Sequence, residues 1–241
     1  MTAPASGAPT ASGSGAGARG LIAFGLWGGA PLYVRGAIEN LRAAAIHYPG
    51  YRVRIYTDDA AVLDRAAATS AAAGDLEQNA AALAARAGVP LEVVVMPPNV
   101  GIRGMFWRFL AVSDPRADPI LVRDCDSRLN PREAAAVAAW LASGHKFHVM
   151  HDHRDHADWP MLGGMWGVRG GVILDIETRI AAWGVWNEKP DDMRFLTAHV
   201  WPEAQRDLMH HSSVPTRVAP ALPFPPHAPW RGFVGEIVRV G

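Results

Sequence analysis

The sequence predicts an α/β protein with an open, mostly parallel sheet and flanking helices. Short apolar runs ending in turn residues recur along the first 150 positions, and helical stretches separate them. The first two such runs bracket a helix, an order that implies a parallel pair with a right-handed crossover. After residue 150 the pattern becomes irregular and rich in Trp, Gly, His and Pro, the composition of a half that builds a site on the sheet.

Residues 1–19 are Ala, Gly, Ser, Thr and Pro with Met1 and one Arg, and are expected to form a disordered tail. The remaining 20–241 are expected to form one domain, with a nucleotide-binding half at 20–145 and an acceptor or sugar half at 146–241. Leu21-Ile22-Ala23-Phe24-Gly25-Leu26 reads as a buried strand closed by Trp27-Gly28-Gly29. Pro31 suits the first turn of a helix running to Ile46. Arg52-Val53-Arg54-Ile55-Tyr56 alternates as a second strand, stopped by Asp58-Asp59. Residues 60–88 are Ala-dominated and read as helix with a break near Gly74. Leu91–Met96 is a third strand, Ile102–Ser113 a helix, and Ile120-Leu121-Val122 a fourth strand. Asn130 and Glu133 form a capping box for a helix from Pro131 to Ser143. Phe147-His148-Val149-Met150 is a fifth strand, and the segment from Phe224 to Glu236 reads as an extended closing strand.

Charge and cysteine content narrow the function. Lys plus Arg equals Asp plus Glu at 23 each, so no net field attracts nucleic acid or an anionic membrane. No apolar run is long enough to span a bilayer, and the tail lacks the pattern of a signal peptide. A single cysteine, Cys125, excludes an intramolecular disulfide, and a reducing, cytoplasmic setting is the simplest reading.

The strongest chemical signal is Arg123-Asp124-Cys125-Asp126 after the fourth strand. Alternation sends Asp124 and Asp126 the same way and Cys125 to the core. Two carboxylates at a strand's carboxyl end repel each other unless a cation lies between them, and a hard divalent ion with a phosphate ligand fits. The competing reading is that both aspartates cap the following turn. Arg108, among the aromatics of Gly104-Met105-Phe106-Trp107-Arg108-Phe109-Leu110, can reach a phosphate while its stem packs.

These motifs, with Leu162-Gly163-Gly164-Met165-Trp166-Gly167 and Asp192-Met193-Arg194-Phe195-Leu196, resemble glycosyltransferases of the GT-A type over residues 20–240. The resemblance implies transfer of a sugar from a nucleotide-diphosphate donor to an unidentified acceptor, with Mn²⁺ or Mg²⁺ on Asp124 and Asp126. It implies a late histidine as third ligand, His210 or His211; the family's His-Asp-Ser is His210-His211-Ser212 here. It also places Phe24, Trp27, Gly28 and Asp58 about the nucleoside and Arg108 and Arg123 at the phosphates. Gly163 and Gly164 would approach the sugar. Asp192 and Asp152 are the candidates for the acceptor-facing base. Asp192 is alternatively a helix N-cap, and Met193 stands where the family has glutamine.

A second motif competes. His151-x-His153-x-Asp155-His156 matches the metal-binding pattern of metallo-β-lactamase-fold hydrolases, with His199, Asp207 and His210 as later ligands. That fold requires β-strands in series, which the first 110 residues do not show. A catalytically silent nucleotide-sugar-binding relative is the third reading. Sugar, base, acceptor, stereochemistry and oligomeric state are not encoded legibly.

Overall fold

A computed structural model describes residues 19–70, 79–99, 101–184, 188–218 and 220–239. The expected tail, apart from Arg19, and the break near Gly74 lie outside these residues.

Seven strands form one sheet: β1 (Leu21–Leu26), β2 (Arg52–Thr57), β3 (Leu91–Val95), β4 (Ile120–Arg123), β5 (Phe147–His151), β6 (Met165–Val168) and β7 (Leu208–Ser212). Their order is β3-β2-β1-β4-β6-β5-β7, and every neighbouring pair is parallel except the two that involve β6. Six strands therefore point one way. The carboxyl ends of β1, β4 and β5 meet the amino end of β6 along one edge.

The sheet is covered on both faces, as a mostly parallel sheet must be. Along β1, Leu21 and Ala23 enter one core with Phe106, Phe109, Val122, Trp166 and Phe195. Ile22, Phe24 and Leu26 enter the other with Ile38, Leu41, Val53, Ile55, Leu121 and Val137. The helices behind the second core are α1 (Pro31–His47), α2 (Ala61–Ser70), α3 (Ala80–Ala87) and α4 (Pro131–Ser143). α1 starts at Pro31 and buries Val34, Ala37, Ile38, Leu41 and Ala44, a stripe at helical spacing. In α4, Asn130 Oδ1 accepts the Glu133 N–H at 2.9 Å. The Glu133 carboxylate does not complete the expected box; it accepts from Arg123 Nε at 2.6 Å and from the Tyr48 hydroxyl at 2.8 Å.

The helix expected at Ile102–Ser113 is present as successive 3₁₀ turns over Arg103–Ser113. A period of three aligns Phe106, Phe109 and Val112 against the sheet and leaves Met105 and Arg108 on a separate line. The second half is not irregular: it contributes β6, β7, α5 (Ile176–Trp183), α6 (Asp191–His199) and α7 (Trp201–Ala204). The closing strand is absent. Only Leu222 bridges His211, and prolines 223, 225, 226 and 229 lack the N–H groups a ladder needs. That segment returns across the sheet's carboxyl edge instead. No helix among the described residues is long and apolar enough to cross a membrane.

α1 also grips the loop after β4. A Cβ on Gly36 would lie 1.7 Å from the Cys125 carbonyl oxygen. Asn40 donates to the Ser127 carbonyl and accepts the Leu129 N–H, both at 2.9 Å. Arg128 joins Glu39 at 2.5 Å while donating to the Cys125 carbonyl at 3.1 Å. Gly36→Ala is expected to cost ~2 kcal/mol or more in chemical denaturation, because the obstacle is backbone.

Candidate active site

The carboxyl edge holds a cavity of about 490 Å³. Alternation along β4 divides its charges between the two faces of the sheet. Arg123 goes toward α4, where it is 2 % exposed and also donates to the Val122 and Trp166 carbonyls at 2.7 Å. Asp124 emerges on the opposite side, and Asp126 follows it into the cavity wall. Cys125 is buried against the other core, where burial pushes its thiol pKa up.

Arg108 is the floor of the site. Its Nη2 meets Asp192 Oδ2 at 2.9 Å, its Nη1 lies 3.2 Å from Asp124 Oδ1, and its Nε donates to the Gly163 carbonyl at 3.1 Å. Burial works against its charge, and Asp124, Asp192 and Asp126 more than restore it. Gly163 and Gly164 make this closeness possible. A Cβ on Gly163 would lie 2.3 Å from Asp192 Oδ2 and 2.4 Å from Arg108 Nη2; one on Gly164 would lie 2.0 Å from Asp124 Oδ2. Asp192 enters from the first turn of α6, and burial raises its pKa. Burial, then the charge of Asp124, pushes the Asp126 pKa up to about 6.

The structure brings Trp27, Gly28, Arg108, Asp124, Asp126, Gly163 and Asp192 to this cavity. It does not place the other expected residues on the wall. Phe24 is in the core, 1 % exposed, because β1 alternation turns it away from Arg108. Asp58 braces from behind, accepting the Gly28 N–H at 3.3 Å and the Asn99 N–H at 3.2 Å. Gly164 lies behind Asp124 rather than on the lining. Arg123 is engaged with Glu133. Asp152 is held by Arg132 at 2.7 and 2.8 Å and accepts the Val234 N–H at 2.9 Å. Burial alone would raise its pKa, but these bonds hold it below the carboxylate range, so it lacks the free, basic face a proton acceptor needs.

His210 does not join the aspartates. Its Nε2 lies 2.8 Å from His151 Nδ1, while His211 Nδ1 lies 2.8 Å from His148 Nε2. Adjacent residues of β7 point to opposite faces, so the two pairs staple the β5–β7 ladder from both sides. The hydrolase motif dissolves in the same way. His151 Nε2 contacts the Trp159 carbonyl at 2.8 Å, and His153 stacks on Phe233 at 4.4 Å. No group of three or more His, Cys, Asp or Glu positioned for a metal occurs among the described residues.

Several wall residues were not legible beforehand: Tyr33 and Met105, Lys189 before α6, and Gly235 and Ile237 of the returning segment. Val238 N–H donates to the Asp126 carbonyl at 2.9 Å, which seats that segment at the site. Proline spacing around residues 223–229 was its only sequence trace.

No family model matches the chain, and no curated protein matches its sequence. Among solved structures, one described as "putative nucleotide-diphospho-sugar transferase from Desulfovibrio desulfuricans G20" is similar at 12 % identity. The likeness covers 81 % of this chain and 80 % of that one, with a TM-score of 0.47. The α/β class rests on the strand order and directions given above.

Two outcomes follow. Arg108→Met leaves the buried Asp192 and the half-buried Asp124 without their cation and is expected to cost about 3 kcal/mol in chemical denaturation near neutral pH. The histidine pairs set an acid limit. Burial, aided by His211, pulls the His148 pKa well below its usual 6.5, and burial pulls His211 to about 4. The unfolded chain then binds more protons than the folded one between pH 6.5 and 4, so stability falls as pH drops through that window. The melting temperature is expected to drop by ~5 °C or more from pH 7 to 5, with a shallower drop in His148→Gln/His211→Gln.

Proposed function

We propose that this cavity binds a nucleotide-diphosphate sugar through a divalent cation on Asp124 and Asp126, and that the chain transfers the sugar to an acceptor hydroxyl. The observation carrying this reading is the charge imbalance at the edge. Three carboxylates, Asp124, Asp126 and Asp192, share one buried guanidinium, and the Asp124 side chain keeps 39 % of its surface open to the cavity. The raised pKa of Asp126 registers the same imbalance.

The donor set fits Mn²⁺ or Mg²⁺. Hard carboxylate oxygens suit both ions, and Mg²⁺ in particular keeps waters and takes phosphate oxygens as its remaining ligands. A cation bound there would neutralise charge developing on the departing phosphate. Arg108 fixes the positions of Asp124 and Asp192 with its paired N–H groups. Gly28 and Gly29 let the ligand approach the backbone beside Trp27, and Lys189 supplies a second positive charge on the wall. In the transfer, the acceptor oxygen bonds to the anomeric carbon. The carbon–oxygen bond to the diphosphate breaks, and the nucleoside diphosphate leaves with the electron pair. The hydroxyl proton passes to a carboxylate, for which we assign Asp192: its pKa is raised and it lines the cavity.

A thermal-shift comparison of UDP and GDP with and without Mn²⁺ tests this. Stabilisation is expected only when nucleotide and metal are both present, reaching ~2.7 kcal/mol at a hundredfold excess over Kd. Asp126→Asn should abolish it while melting normally without ligand, and Asp124→Asn should abolish it with a lower melting temperature, because it also removes a partner of Arg108. Metal-dependent binding with no donor hydrolysis would assign a silent sugar-nucleotide binder. Tightly held zinc, lost on His151→Ala but not on Asp124→Ala, would overturn the reading.

A further inference from the structure

We infer that the acceptor presents its hydroxyl on an apolar body, such as an alkyl or aryl aglycone, rather than being a free polyhydroxylated sugar; this rests on the transferase reading above. The cavity has two sides separated by β4. Trp27, Gly28, Gly29, Ala30 and Tyr33 follow β1 on one side, and Leu162, Met165, Lys189, Asp192, Met193 and Ile237 come from the second half of the chain on the other. The first side adjoins the Asp58 brace after β2, the side of the sheet given to the nucleoside. The second side is left for the acceptor.

Its chemistry is specific. Among the described residues, no Ser, Thr, Asn or Gln lines the cavity anywhere. The neutral hydrogen-bonding side chains are Trp27 and Tyr33 on the first side and His156 on the second. His156 Nδ1 accepts the Asp152 N–H at 3.2 Å, and burial, with His151 and His153, pulls its pKa down to about 4. A neutral imidazole held in that way offers its Nε2–H as one donor. Apart from the charged Lys189 and Asp192, the rest of that side is thioether and aliphatic: Leu162, Met165, Pro190, Met193 and Ile237. Ile237 is 54 % exposed although it sits in the segment bonded to the Asp126 loop.

On that side Lys189, Asp192 and the His156 donor are the polar side chains, too few to meet every hydroxyl of a free sugar, and each unmet hydroxyl costs free energy. An alkyl or aryl body loses nothing there and gains contact area, and methionines adapt to its outline. Charge at the floor and apolar surface on the far wall select a molecule divided in the same way.

The test uses the full chain saturated with Mn²⁺ and whichever of UDP or GDP binds. Octyl β-D-glucoside below its micelle concentration and methyl β-D-glucoside are titrated calorimetrically; they share a head group and differ in the chain. The octyl compound is expected to bind at least tenfold more tightly. Met193→Gln and Leu162→Gln should cut that preference below about threefold, with nucleotide affinity read in the same samples as the measure of folding. Equal affinities, no binding of either, or a preference untouched by both variants would overturn the inference and leave the transferase reading standing. Failure of both nucleotides to bind with Mn²⁺ would instead remove the transferase reading, and the acceptor assignment with it.

Discussion

The Arg108 guanidinium is the contact on which the site depends. It is fully buried, so its charge must be met inside the protein, and three segments far apart in sequence meet it. Asp124 comes from the end of β4, the Gly163 carbonyl from the approach to β6, and Asp192 from the start of α6. The glycines at 163 and 164 follow from this geometry, since any side chain there would occupy space held by the ion pairs. Placing the cation on a 3₁₀ run has a consequence too. A period of three lets Arg108 face the cavity while Phe106 and Phe109 stay in the core, with Phe109 stacked near Phe195 of α6 at 6.0 Å. The packing and the electrostatics therefore hold α6 at one place.

A second set of bonds fixes the aspartate loop from the other face. Asn40 of α1 bonds its backbone, Gly36 packs against the Cys125 carbonyl, Glu39 holds the Arg128 side chain, and Arg123 is drawn off to Glu133, which Tyr48 also bonds. This division matters because Arg123 on the cavity side would neutralise the carboxylates that a divalent ion needs. Alternation along β4 sends Arg123 away from the cavity and the 3₁₀ run turns Arg108 toward it: Arg108 meets Asp124, and Arg123 is spent on structure. The residual negative charge at Asp124 and Asp126 is a product of topology rather than of composition, since the chain as a whole is neutral.

Much of the first half was legible in the sequence because its signals are local. Leu21–Leu26, Pro31, Asn130 and the Asp124–Asp126 pair each declare themselves within a few residues, and the parallel order follows from strand–helix–strand. The second half was not, because β6 (Met-Trp-Gly-Val) and β7 (Leu-Met-His-His-Ser) are four- and five-residue strands with no apolar alternation. What stabilises them is tertiary: neighbours in the sheet and the histidine pairs across β5 and β7. Asp152 and His210 were misplaced for the same reason. Residue type marked them as chemical, but a partner nearly 60 positions away in one case, His151, and 20 in the other, Arg132, decided their role. Lys189 and Ile237 carry no motif, and only the folded chain puts them on the wall.

The returning C-terminal segment shows how these structural uses of polar residues serve the site. Asp152 accepts the Val234 N–H while Arg132 neutralises it and lies over the Phe224 ring at 4.2 Å. His153 stacks on Phe233 of the same segment. Two of the residues that the sequence offered as a base and a metal ligand thus anchor the segment near residue 234. A few positions later its backbone bonds to the Asp126 carbonyl and delivers Gly235 and Ile237 to the cavity. Prolines keep the segment out of the sheet, so it remains free to cross the carboxyl edge. The polar anchors outside the cavity thereby set the apolar boundary within it.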